Sequence, residues 1–325
     1  MRKTRRCQRR RLIRGWVGVL LTVGALSSCG PADPIEPLPE VARKATAEGR
    51  VFRIGDVDPD TPARRTRRLQ PLADYLAEQL ADLGFARGGV VIARDLREMG
   101  RFMSDGRVDL YVDSTFPTLM VQRFSGSRIL LHRWAQGSAT YWSLFVTASE
   151  SGISSLEQLR GSVLALQESY STSGFVLPAG TLIERGFELS EVGGPEDVLK
   201  PDTVNYFFSR DEENTIELVI TGKAPAGAIS NQEYEQLPEP VRDQLRVIWR
   251  TVSVPRQLVS TRVDLEPQVV DRVSKALLGL TPPDGEPVAL EAGAQGWTWK
   301  FQKITPATAE GIARLAKLVE LLAIE

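Results

Sequence analysis

Histidine and cysteine are almost missing from this chain of 325 residues, which has one histidine, His132, and two cysteines, Cys7 and Cys29. Such scarcity excludes a Cys/His zinc site and a disulfide framework in the folded part. It also excludes a Cys–His nucleophile pair and leaves His132 as the sole base for a Ser–His triad. No Gly-x-Ser-x-Gly elbow is present, and Leu131-His132-Arg133-Trp134 carries no acid, so His132 is expected to be structural and a secreted hydrolase is set aside. Neither a metal nor another cofactor is expected. Long apolar runs are lacking as well, and no segment after the N-terminal region is apolar enough to span a bilayer. With 42% hydrophobic and 25% charged residues, the chain falls in the globular range, and its length suits two core-forming units.

Charge is distributed unevenly. Residues 1–28 hold eight positive charges and no acid, so the net charge is −9 without them against −1 for the whole chain. An acidic remainder has no general phosphate-tracking surface, and no nucleic-acid partner is expected. The arginines precede Gly15-Trp16-Val17-Gly18-Val19-Leu20-Leu21-Thr22-Val23-Gly24-Ala25-Leu26, too short at about 1.5 Å per residue to cross a bilayer core of roughly 30 Å. That is the length of a signal-peptide apolar region. It ends in Leu26-Ser27-Ser28-Cys29, which resembles the lipobox of bacterial lipoproteins and implies diacylglyceration of Cys29. Arg9-Arg10-Arg11-Leu12-Ile13-Arg14 resembles a twin-arginine export signal, and Sec export is the alternative. Four prolines between Pro31 and Pro39 favour an extended spacer. Residues 1–28 are thus expected to be a signal peptide and 29–49 a tether, with membrane attachment through lipid alone.

From residue 50 onward, strand and helix patterns alternate. Val51–Gly55, Val90–Ala93 and Val108–Val112 read as strands; Leu69 to Leu83 and Leu96 to Asp105 read as helices ended by Gly84 and Gly106. This order implies parallel strands joined by crossovers. The pattern restarts near residue 140, with strands at 141–147, 163–166, 204–208, 226–229, 246–249 and 257–260. Helices are expected over 171–185, 212–221, 267–278 and 307–322. Two α/β lobes follow, one from 50–140 with 250–325 and one from 141–249.

The chemically informative segment is Leu166-Gln167-Glu168-Ser169-Tyr170-Ser171-Thr172-Ser173-Gly174. The first N–H groups of a helix lack intrahelical partners and carry partial positive charge. Ser171, Thr172 and Ser173 at such a start make either an anion cradle or a plain cap. One cap needs one hydroxyl, so the surplus favours the cradle. Ser114 and Thr115 offer a cap to a second helix.

Tyr141-Trp142-Ser143, then Ser151 through Gly161, then Ser171-Thr172-Ser173-Gly174 resemble the phosphate/phosphite/phosphonate-type substrate-binding proteins of ABC transporters. Gln70-Pro71-Leu72-Ala73-Asp74-Tyr75-Leu76, Gly106-Arg107-Val108-Asp109-Leu110, Gly222-Lys223-Ala224 and Val247-Ile248-Trp249 add matches in order, over about residues 50–280. The resemblance implies a two-lobed periplasmic-binding-protein (type II) α/β fold with a ligand cleft, two crossover strands and hinge closure. It implies a monomer with no enzymatic activity, which binds a small oxyanion (phosphonate, phosphite or phosphate) for an ABC permease and ATPase. The alternative is a ligand sensor signalling to a separate membrane partner such as a histidine kinase. Ser171, Thr172 and Ser173 would hold the oxyanion from one lobe, Ser114 and Thr115 from the other. Tyr141 would donate its hydroxyl or be a core tyrosine.

Where relatives carry His-Asp, this chain has Arg210-Asp211. Arg210 either faces the cleft or pairs at the surface with Asp211 or Glu213. Asp113 either takes a ligand proton or caps a helix. Arg64-Arg65-Thr66-Arg67-Arg68 reads as a solvated loop, and Trp297 and Trp299 as lobe packing.

Overall fold

The computed structural model describes residues 49–58, 61–280 and 300–324. Cys29, the proline-rich spacer, Trp297 and Trp299 lie outside the described residues.

The first half runs β1 (Arg50–Val57), α1 (Pro62–Gln79), β2 (Phe85–Ala93), α2 (Leu96–Ser104), β3 (Leu110–Asp113), α3 (Thr115–Ser125) and β4 (Arg128–Trp134). β5 (Thr140–Tyr141) leads to β6 (Ser143–Ala148) and β7 (Val163–Leu166). After these come α4 (Leu177–Glu184), β8 (Leu189–Glu191), β9 (Val204–Phe208), α5 (Glu212–Ile220) and β10 (Ala226–Ser230). The remainder is α6 (Asn231–Gln236), α7 (Glu239–Arg242), β11 (Leu245–Arg250), β12 (Val254–Pro255), β13 (Gln257–Thr261), α8 (Pro267–Gly279), β14 (Lys300–Gln302) and α9 (Pro306–Leu321).

Two six-stranded sheets result, ordered β14-β4-β13-β3-β1-β2 and β11-β6-β10-β7-β9-β8. β2, β1 and β3 pair in parallel, as do β8, β9, β7 and β10. The sheets are mixed rather than parallel throughout. β13 and β4 enter the first antiparallel, and β6 and β11 the second. The chain crosses between the sheets twice, and the two crossings pair with each other, Val254 opposite Tyr141 and Pro255 opposite Thr140.

Burial explains why α1 docks where it does. Leu69, Leu72, Ala73, Leu76 and Ala77 recur at helical spacing and pack on Phe52, Ile54 and Val259. Met99, Phe102 and Met103 of α2 cover the other face of the same sheet, against Val108 and Tyr111. Parallel strands are normally buried on both faces in this way.

Leu315, Leu318 and Val319 of α9, expected with the first lobe, share one buried cluster with Phe116 and Met120 of α3 and with Phe175, Leu177 and Leu182 beside the second sheet. Gly180 makes room for α9, since a Cβ there would lie 2.8 Å from the Leu318 Cβ. The apolar face of α9 is covered jointly by α4, α3 and the β12 crossing.

Candidate functional site

Between the sheets lies a cavity of about 320 Å³, lined from the first side by Asp56, Arg65, Arg68, Asp113 and Ser114. Tyr141, Gln167, Ser171, Thr172, Ser173 and Glu212 line it from the second, and Arg256 and Gln257 from the crossing that leads into β13. Asp56, Asp113 and Gln167 stand at or just beyond the carboxyl ends of β1, β3 and β7, where ligands of open α/β sheets bind.

The arginines come from an unfavourable place. Arg65 and Arg68 occupy the N-terminal half of α1, where the helix dipole opposes positive charge, and no acid stands in the first turn. Carboxylates from β1 and its loop hold Arg65 in place. Its Nε donates to Asp58 Oδ2 at 2.7 Å, and its Nη1 lies 3.6 Å from Asp56 Oδ2. Burial works upward on Asp58, but Arg65 and the Thr61 donors pull its pKa down to about 2. For Arg68, burial and then repulsion from Arg65 outweigh attraction from Asp56 and Asp113 and push its pKa down to about 10. Behind it, burial and repulsion from Arg68 and Arg256 push Arg133 down to about 9. Asp56 moves the other way, raised to about 7 by burial, with Arg65 opposing and Asp113 reinforcing. Burial also raises Glu212. Burial thus works against ionisation of Asp56 and Glu212, while Arg65 and Arg68 stand close enough to repel each other.

The hydroxyls form a bridge across the cavity floor. Thr172 Oγ1 accepts from the Phe116 N–H of α3 at 3.0 Å and donates to Ser114 Oγ at 3.2 Å. The Tyr141 hydroxyl bonds to both Thr172 and Ser114, and the Arg256 guanidinium lies 4.4 Å from the Tyr141 ring centroid. Ser171 Oγ accepts from Gly174 N–H at 2.9 Å and donates to Gln167 Oε1 at 2.8 Å. The Phe175 and Val176 N–H groups both donate to the Ser171 carbonyl, so residues 172–176 form one π-helical turn before α4. Gly174 is required by that closeness, because a Cβ would lie 2.3 Å from Gln167 Cβ. Ser171 is thus a cap that also lines the cavity, whereas Ser173 lines it while its carbonyl accepts from Ser143.

Three expected site residues are elsewhere. Thr115 turns its hydroxyl to the Pro255 carbonyl at 2.5 Å and is fully buried outside the cavity lining. Arg210 is exposed, with φ of 82°, and is not among the lining residues. Asp211 caps α5, accepting from Asn214 N–H at 2.6 Å, so the next residue, Glu212, is the one that reaches the cavity. The basic run is no loop. It is the first half of α1, and Arg65 and Arg68, at i and i+3, share the face turned to the cavity. That spacing was the readable signal for them. His132 is buried in β4, its Nε2 2.5 Å from the Ala139 carbonyl oxygen and its Nδ1 2.8 Å from Gln302 Nε2, with its pKa lowered by burial.

Two α/β lobes, joined by paired crossings around an arginine-lined cavity, have the architecture of type II periplasmic binding proteins. Residues 57–307 match the family model for ABC transporter, phosphonate, periplasmic substrate-binding proteins, and the chain belongs to that family. It is a binding protein, not an enzyme. Among solved structures, it is similar to XAC2383 from Xanthomonas citri bound to ATP, at 26% identity and a TM-score of 0.75, covering 84% of this chain and 98% of that one. PhnD1 from Prochlorococcus marinus in complex with methylphosphonate shares the fold at 17% identity and a TM-score of 0.61, covering 84% of this chain and 98% of that one. So does a binding protein component of an ABC phosphonate transporter from Pseudomonas aeruginosa, at 17% identity and 0.56, over 85% and 96%. Among the described residues, no helix is long and apolar enough to cross a membrane.

Proposed function

We propose that this protein is a lipid-anchored extracytoplasmic receptor that captures a phosphorus oxyanion and delivers it to the permease and ATPase of an ABC importer. The observation that carries this reading is the convergence of Arg65, Arg68 and Arg256 on one cavity beside the Ser114–Thr172–Tyr141 hydroxyl bridge. Guanidinium forks suit the oxygens of a phosphonate or phosphate, and the hydroxyls add donors without further charge. Methylphosphonate and ATP, held by two of the similar proteins, share that phosphorus oxyanion. In this reading Ser114, Tyr141, Thr172, Ser173 and the three arginines contact the ligand, Ser171 shapes the turn, and the protein acts as a monomer. Cys29, following Leu26-Ser27-Ser28, carries the lipid.

The test is calorimetry and thermal shift of the full chain in detergent with phosphate, phosphite, methylphosphonate, 2-aminoethylphosphonate, sulfate and taurine. Ligand at about a hundred times Kd adds roughly 2.7 kcal/mol of stability. A selective response to phosphorus oxyanions that disappears in Arg256→Ala supports the reading, and no response to any of them refutes it. Incorporation of labelled palmitate that is lost in Cys29→Ala tests the anchor.

A further inference from the structure

His132 is the one histidine of the chain, and the site described above makes no use of it. It sits on β4, opposite Gln302 of β14 and Leu258 of β13, with its side chain buried. The hydrogen bonds around it run in one direction. An indole N–H donates and never accepts, so Trp134 Nε1, 3.0 Å from Gln302 Oε1, fixes which end of that amide is oxygen. The amide nitrogen then faces His132 Nδ1 at 2.8 Å and donates to it. Nδ1 is therefore bare and the ring neutral, and Nε2 carries the hydrogen that it gives to the Ala139 carbonyl at 2.5 Å.

That carbonyl is where the two crossings meet. Ala139 precedes β5, Arg256 follows β12, and the Arg256 N–H donates to the same Ala139 oxygen at 2.8 Å. A carbonyl oxygen has two lone pairs, and His132 and Arg256 take one each. Arg256 lines the cavity, and its guanidinium is held separately. Its Nε donates to Gln232 Oε1 at 2.5 Å, and Gln232 Nε2 donates to the Ala135 carbonyl at 3.0 Å. Resting on the oxyanion reading above, we infer that His132 is a positioning residue: through the Ala139 carbonyl it holds the backbone of Arg256 where the guanidinium meets the ligand. The series Trp134, Gln302, His132, Ala139, Arg256 thus ties the β14 edge of the first sheet to the cavity.

Methylphosphonate and phosphate are the probes, and the full chain in detergent is the sample. With a single histidine, the imidazole nitrogen resonances belong to His132 alone. They are expected to show the Nε2–H tautomer, and the Nε2 signal is expected to move when methylphosphonate saturates the protein, a response that a residue serving stability alone would not give. His132→Leu is expected to bind methylphosphonate about threefold to tenfold more weakly, the loss that one neutral hydrogen bond accounts for, with faster amide exchange at Arg256. His132→Gln, whose amide nitrogen reaches as far from Cβ as Nε2 does, is expected to restore both. The imidazole signals need no variant, so they decide the matter if His132→Leu does not fold. An Nδ1–H tautomer, an unmoved Nε2 signal, wild-type affinity in His132→Leu, or a loss that His132→Gln does not restore overturns the inference and leaves the oxyanion reading standing. No binding of either probe by the wild type overturns both.

Discussion

Replacing Arg68 by methionine should stabilise the ligand-free protein and weaken its binding. Burial and the nearby Arg65 push the Arg68 pKa down to about 10, against an ordinary value of about 12.5. That displacement corresponds to about 3 kcal/mol working against the cation in the empty cavity. Solvent and side-chain relaxation make this a ceiling, and about 1–2 kcal/mol is the expected gain. Methionine keeps the apolar stem that packs along α1 and removes the charge. A domain of this size shifts in Tm by roughly 2–4 °C per kcal/mol, so the ligand-free variant should melt about 2–8 °C higher. The sign with pH follows from the lowered pKa: the penalty is present at every pH below about 10, so the gain keeps its sign at pH 6 and pH 8, and it is smaller at pH 8, where ionised Asp56 attracts Arg68. Binding moves the other way, because a charge-assisted hydrogen bond to the oxyanion contributes about 1.5–3 kcal/mol, or roughly ten- to hundredfold in Kd. Differential scanning calorimetry without ligand and titration with methylphosphonate measure the two effects. A lower Tm in Arg68→Met, or an unchanged Kd, would show that Arg68 holds the fold together rather than waiting for an anion.

Asp56, raised to about 7, keeps a proton in the folded state that the unfolded chain releases near pH 4. Stability should therefore fall as pH rises from about 4 to 7, and Asp56→Asn should flatten that slope in urea titrations. Glu212 contributes a slope of the same sign, so the difference between wild type and variant is the quantity to read. Thr172→Val keeps the volume but takes the acceptor from the buried Phe116 N–H. It should cost about 1–3 kcal/mol and speed amide exchange at Phe116, and unchanged exchange there would refute the bridge. Arg210→Ala should leave methylphosphonate affinity within about twofold, because the side chain lies outside the cavity lining; a tenfold loss would restore it to the site.

The layout of both lobes was legible because periodicity reports burial. Val204–Phe208 is a strand with the expected bounds, and α5 and α8 begin where the sequence puts them. β4 escaped because Arg128-Ile129-Leu130-Leu131-His132-Arg133-Trp134 buries a polar residue on each of its two faces, His132 on one and Arg133 on the other. His132 and Arg133 are 1% and 2% exposed, paired with Gln302 and Gln257 across strands the sequence does not place side by side. In the site, local chemistry was readable and convergence was not. Ser171 and Thr172 betray themselves as hydroxyls at a helix start, a property of a few adjacent residues. Thr115 shares that signature, yet its neighbour in space is the Pro255 carbonyl, from the returning crossing. The arginines show the same limit from the other side. Charge in the first half of α1 weakens the helix and crowds its neighbours, so by the logic of stability a surface loop was the better reading. That logic fails because carboxylates from outside the helix, Asp56 and Asp58 of β1 and its loop, stand beside Arg65. The i, i+3 phase of Arg65 and Arg68 is therefore what the sequence shows of the cavity, and their meeting with Arg256 is what it does not.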